Sequence, residues 1–267
     1  MLGAIAGDIA GSRFEWNNLK SKKFELFHPK CFFTDDSLMT IALAKAILDC
    51  KGDYALLSEA AVKRMVQLGR MYPYAGYGLS FAKWLETDGS RPYDSFGNGA
   101  GMRVSACGFA ANSLNDVKDL SLKVTRVTHN HPEGIKGAEA TAVCIYLART
   151  GSSIEEIRKF VNGHYYKLDF TLDGIRNSYG FDVSCQGTVP QAIEAFLEST
   201  GFEDAIRNAI SIGGDSDTLA AITGGIAEAF YGMPNDIRQR TMTYLDDGLR
   251  AVVNEFESKF PPKVSGN

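Results

Sequence analysis

Residues 213–231 read GGDSDTLAAITGGIAEAFY, and they place two carboxylates, Asp215 and Asp217, directly before an apolar run with helical spacing. A second stretch has the same design: Thr34-Asp35-Asp36-Ser37 precedes Leu38, Ile41, Ala42, Ala44, Lys45 and Leu48, most of whose apolar bulk falls on one helix face. A helix start needs one capping side-chain oxygen, not two ionised carboxylates within three residues. The surplus oxygens suit a cation. Asp and Thr oxygens with no thiol or imidazole nearby match hard divalent ions such as magnesium or manganese, and match zinc or copper poorly.

Outward from these two stretches, helical periodicity continues along the whole chain. The spacing predicts further helices over 54–69, 77–86, 99–112, 116–127, 133–149, 154–166, 202–211, 217–231 and 235–257, and Val189, Ile193, Phe196 and Leu197 continue the pattern. Pro132, Pro190 and Pro234 each stand where a helix should begin. Strand signals are scarce. With short connections, the expected fold is all-α, a compact many-helix orthogonal bundle. No linker-like stretch divides the chain, so one domain is expected over 1–260, followed by a flexible tail over 261–267. Near the start, Gly3, Gly7 and Gly11 recur every fourth residue, and each costs a helix interior about 1 kcal/mol relative to alanine. Such a stripe makes sense where another backbone approaches closely. On the same helix, Asp8 and Glu15 lie two turns apart and should share a face, where a cation would compensate them.

The 267 residues are 45% hydrophobic with a net charge of −4, and the lysines and arginines are scattered, which argues against a nucleic-acid partner. Cys31, Cys50, Cys107, Cys144 and Cys185 are odd in number and form no C-x-x-C pair, so they read as reduced thiols of a cytoplasmic protein. Met1 to Gly11 lacks the basic start of a signal peptide and is interrupted by Asp8, and no uncharged run is long enough for a membrane span.

Five motifs, taken together and in order, resemble the ADP-ribosylglycohydrolases: Gly7-Asp8-x-x-Gly11-x-x-x-Glu15, Thr34-Asp35-Asp36, Ser95-Phe96-Gly97-Asn98-Gly99-x-x-Met102-Arg103, Thr128-His129 and Gly214-Asp215-Ser216-Asp217-Thr218. The resemblance implies an all-helical protein that holds two divalent metals, Mg2+ or Mn2+, and hydrolyses the bond joining ADP-ribose to a modified side chain. It implies metal ligation by Thr34, Asp35, Asp36, Asp215, Asp217 and Thr218, with Glu15, assisted by Asp36, at the chemistry. It further implies that Ser95, Phe96, Gly97, Asn98, Gly99, Met102 and His129 bind substrate, Phe96 by stacking on adenine. The expected partner is an ADP-ribosylated protein or a small molecule containing ADP-ribose, met by a monomer.

Chemistry agrees with that assignment. Asp35, Asp36, Asp215, Asp217 and Glu15 would bring five negative charges into one cleft, and like charges at short range raise one another's pKa. Two divalent cations remove most of that repulsion; one leaves a strongly anionic cluster. Gly97, Gly99 and Gly101 should leave backbone N–H groups open to a pyrophosphate, with Arg103 bracing the loop or adding a charge-assisted contact. Two other readings use the same residues: a binding module of the same fold without turnover, and a two-metal phosphohydrolase of nucleotides or pyrophosphate. Arginine is the preferred linkage and serine the alternative.

Overall fold

The structure, a computed structural model, describes residues 1–261; of the expected tail, residues 262–267 lie outside them. Among the described residues fifteen α-helices follow one another: α1 Leu2–Gly11, α2 Asp35–Asp49, α3 Leu57–Met71, α4 Leu79–Glu86, α5 Gly99–Met102, α6 Ser105–Ala110, α7 Leu114–Thr125 and α8 Pro132–Arg149 in the first half. The second half holds α9 Ile154–His164, α10 Leu172–Ile175, α11 Cys185–Leu197, α12 Phe202–Ser211, α13 Ser216–Tyr231, α14 Asn235–Tyr244 and α15 Asp247–Lys259. Among the described residues there is no strand, only an isolated antiparallel bridge between Gly97 and Ser184. The fold is all-α, as the periodicity predicts.

The centre of the bundle is the pair α1 and α13, which pack on each other more extensively than any other two helices. Every residue of α1 is buried, and so are fourteen of the sixteen in α13. The glycine stripe explains the approach: a Cβ on Gly7 would stand 1.9 Å from the Ala220 carbonyl oxygen, and one on Gly3 would stand 2.3 Å from that of Gly224. Three glycines cost α1 about 3 kcal/mol in helix propensity. Full burial of Leu2, Ile5 and Ile9 returns about 1.5–3 kcal/mol each, so the helix is held by packing and not by propensity. The last glycine carries the packing to the chemistry, because a Cβ on Gly11 would lie 2.5 Å from the Asp217 Cα.

Four expectations are corrected. The helix expected over 99–112 is two, because Val104 leaves helical geometry and the Arg103 Nε takes the Gly99 carbonyl that the next turn would have used. The helix expected over 235–257 breaks at Leu245, after which Asp246 accepts from the Leu249 N–H and starts α15. Pro190 lies inside α11, which starts five residues earlier with Ser184 accepting from the Gly187 N–H. Glu15 is not on α1: that helix ends at Gly11, and Glu15 belongs to the irregular segment leading to α2.

Candidate active site

Asp8 of α1 organises the first cluster. Its Oδ1 accepts from the Thr34 hydroxyl at 2.8 Å, and its Oδ2 accepts from the backbone N–H groups of Thr34 and Ser37 at 2.9 and 3.1 Å, as well as from the Ser37 hydroxyl. Thr34 in turn caps α2 by accepting from the Asp36 N–H at 3.2 Å. The donors of the α2 start are thereby met without Asp35 or Asp36. Burial raises the Asp8 carboxyl to about 6 even though these hydrogen bonds oppose it. A Thr34 oxygen that donates once and accepts once keeps one lone pair free.

The second cluster behaves alike. Gly213 and Gly214 take φ of +69° and +78°, a turn that side chains resist, and bring Asp215 to the start of α13. Asp215 makes no capping bond there; its Oδ2 accepts from the Asn98 amide at 2.7 Å. Asp217 accepts the Thr218 N–H at 3.0 Å, and the Thr218 hydroxyl donates to Asp36 Oδ2 at 3.3 Å, joining the two clusters directly. The other oxygen of Asp36, Oδ1, is buried and has no partner. An orphaned carboxylate oxygen in a dry site costs free energy until a donor or a cation meets it.

Oxygen atoms of Glu15, Asp215 and Asp217 lie within 4.8 Å of one another. Burial first, and then the neighbouring carboxylates, pushes Asp36 and Asp217 well above the usual carboxylate range. Asp35 rises to about 7, by burial chiefly, with Arg103 opposing. Glu15 also rises to about 7, through burial and the Asp215 charge, while the Trp16 side chain pulls it down by hydrogen bonding. An all-oxygen donor set with one oxygen orphaned, in a field that resists ionisation, fits hard divalent cations.

These groups open into a cleft of about 700 Å3, a volume suited to a dinucleotide-sized ligand. Glu15, Thr34, Asp35, Asp36, Asp215, Asp217 and Thr218 line it, together with Ser95, Gly97, Asn98, Gly99, Met102, Arg103 and His129. The buried His129 ring shares its Nδ1 with the Thr128 hydroxyl at 2.7 Å, and burial and Arg103 keep the imidazole neutral. His131, by contrast, caps α8 by accepting from the Glu133 N–H. Phe96 is not part of the lining; its half-exposed ring lies 5.3 Å from that of His131. The glycine loop is less open than its spacing suggests. The Gly97 N–H goes to Ser95 Oγ, that of Asn98 to the Val183 carbonyl and that of Gly101 to the Asn98 carbonyl, which leaves the N–H of Gly99.

The sequence model of the ADP-ribosylglycohydrolases matches residues 1–263. The chain belongs to that family. ADP-ribosylglycohydrolase relatives include the ADP-ribosylhydrolase ARH3 of Mus musculus, 25% identical over 87% of this chain and 83% of that protein. The ADP-ribosylarginine hydrolase Tri1 of Pseudomonas putida (strain GB-1) is 29% identical over 87% of this chain and 70% of its own length. The ADP-ribosyl-[dinitrogen reductase] glycohydrolase of Rhodospirillum rubrum is 27% identical, covering 80% and 73%. A solved ADP-ribosylglycohydrolase-related protein complex superposes with a TM-score of 0.69 over 96% of both chains at 22% identity, which establishes the common fold. This ADP-ribosylglycohydrolase is a hydrolase of glycosidic bonds.

Three sets of contacts escape a reading of the sequence. Asn98, expected against substrate, spends its amide on Asp215 and on Thr188 Oγ1. Asn18 exchanges two 2.8 Å hydrogen bonds with the backbone of Gly214 and so ties the Glu15 segment to the second cluster. Residues 74–81 form another wall, and their link to the site is the 2.8 Å bond from the Asp35 N–H to the Ala75 carbonyl. No sequence signal marks these long-range pairs.

Proposed function

We propose that this enzyme releases ADP-ribose from modified arginine side chains, with serine the second linkage, using two magnesium or manganese ions. The observation that carries the reading is the orphaned Asp36 Oδ1, buried where two carboxylate-bearing helix starts meet beside the cleft. Thr34, Asp35, Asp36, Asp215, Asp217 and Thr218 would hold the cations. Bound there, divalent ions supply positive charge against the carboxylates and acidify water.

The protein's own groups do the rest. Glu15, whose carboxylate lies beside those of Asp215 and Asp217, can take a proton from attacking water or return one to the leaving group. Neutral His129, held by Thr128, lies against Gly99 in the cleft wall. The Gly99 N–H and the Ser95 hydroxyl face the diphosphate, and developing positive charge on the sugar is favoured by the acidic wall. Five cysteines without a disulfide suit the reducing cytoplasm. Among the described residues no helix is long and apolar enough to cross a membrane.

Incubation with magnesium and defined ADP-ribosylated arginine and serine peptides should liberate intact ADP-ribose, and a chelator should stop it. No release from either linkage by metal-loaded protein overturns the reading. Release of AMP or phosphate instead would make the protein a phosphohydrolase.

A further inference from the structure

Among the described residues, only two buried polar atoms without a hydrogen-bond partner belong to side chains that line the cleft. One is the acceptor Asp36 Oδ1, which a cation satisfies. The other is the hydroxyl of Tyr77, which carries a proton to give and lies on the wall formed by residues 74–81. Leaving a buried hydroxyl unpaired costs free energy, and a donor in the cleft wall recovers it when a ligand brings an acceptor.

The Tyr77 ring is held in place. It packs 5.5 Å from Phe81, which stacks on the buried Trp84 at 5.2 Å and receives the Arg103 guanidinium on its face at 5.0 Å. Its backbone is held too, because the Asp35 N–H binds the Ala75 carbonyl, and Gly76, at φ +101°, leaves room for Asp35 Oδ1 3.3 Å from where a Cβ would sit. Burial and the Asp35 charge push the phenol well above its ordinary pKa, so it remains an O–H donor. Asp35 beside it places the hydroxyl next to the proposed cation ligands, where the reading above puts the sugar that carries the scissile bond. A sugar hydroxyl can accept from Tyr77 there.

We infer that Tyr77 is a substrate-binding residue whose hydroxyl donates to a hydroxyl of the distal ribose, the sugar that carries the scissile bond. The inference rests on the ADP-ribosyl hydrolase reading above and adds a contact on the sugar that the motifs do not contain. Among the described residues no group pairs with that hydroxyl.

The test is Tyr77→Phe, which removes one oxygen, with binding of ADP-ribose and of ADP measured by calorimetry in magnesium. ADP lacks the distal ribose and carries an additional negative charge on its terminal phosphate, so the comparison is made between variant and native protein for each ligand. The variant should bind ADP-ribose about 3- to 10-fold more weakly, bind ADP as the native protein does, and melt no lower without ligand. Unchanged ADP-ribose affinity, an equal loss for ADP, or a lower melting temperature overturns the assignment. Overturning the contact leaves the hydrolase reading standing, because release of ADP-ribose tests that reading separately; a native protein that binds neither ligand overturns both.

Discussion

Gly7→Ala sets helix propensity against packing, and the two predict opposite signs. Propensity alone makes the variant more stable by about 1 kcal/mol, since alanine replaces glycine inside α1. The structure places the new methyl 1.9 Å from the Ala220 carbonyl oxygen, 2.3 Å from its carbon and 2.8 Å from the Ala221 nitrogen, against ordinary contacts of 3.4–4 Å. All three atoms are backbone, so no side chain can rotate away, and the helices must part locally by about 1.5 Å to reach normal contact. Overpacking of this kind costs about 1–3 kcal/mol, and more where backbone must move. The net expectation is a loss of about 2 kcal/mol, or roughly 4–8 °C in melting temperature for a chain of this size. Circular dichroism melts of the native protein, Gly7→Ala and Gly163→Ala decide it. Gly163, in α9, has open space around its Cβ position, so that variant should melt at or above the native temperature. A Gly7→Ala protein at least as stable as the native one would refute the backbone contact between α1 and α13.

Other outcomes follow from the same geometry. Asp36→Ala and Asp217→Ala should each weaken metal binding by more than about 100-fold and abolish turnover with helical content intact, as read by calorimetry and circular dichroism. Asp8→Asn removes acceptor capacity from the α2 start without touching the cleft, so metal affinity should fall about 10- to 100-fold together with melting temperature. Metal-free protein should lose stability as pH rises from about 4 to above 7. Folding raises the carboxyls of Asp35 and Glu15 to about 7, so the folded state holds protons that the unfolded chain has released, and this contribution disappears as pH passes the folded values. Melting temperatures across that range should fall without metal and stay level in excess magnesium. Glu15→Gln should stop ADP-ribose release while calorimetry shows ADP-ribose binding retained.

What the sequence disclosed, and what it did not, divides along contact distance. The helices of the bundle and the two acid-led helix starts are local patterns, and periodicity with the surplus-carboxylate argument finds both. The glycine stripe is local too, and its meaning as a close helix contact follows from cost alone. Boundaries failed where a side chain competed with the backbone: Arg103 taking the Gly99 carbonyl ends α5, and Asp246 capping α15 ends the run from Asn235. Pro190 misled because proline reads as a start, although Ser184 had already begun α11. The helix face expected to join Glu15 to Asp8 does not exist, although the family motif also points to Glu15; Asn18, gripping Gly214 from 196 residues away, holds its segment at the site. Such pairings join the chain across long separations, and spacing in one sequence carries no trace of them.

The central claim is that carboxylates at the starts of α2 and α13 share a pair of divalent cations beside the cleft. Anomalous diffraction from crystals grown in saturating manganese measures it directly. The account predicts two strong peaks between these helix starts, with Asp36 Oδ1 and an Asp217 oxygen among the ligands. Well-ordered carboxylates with no peak between them would contradict it.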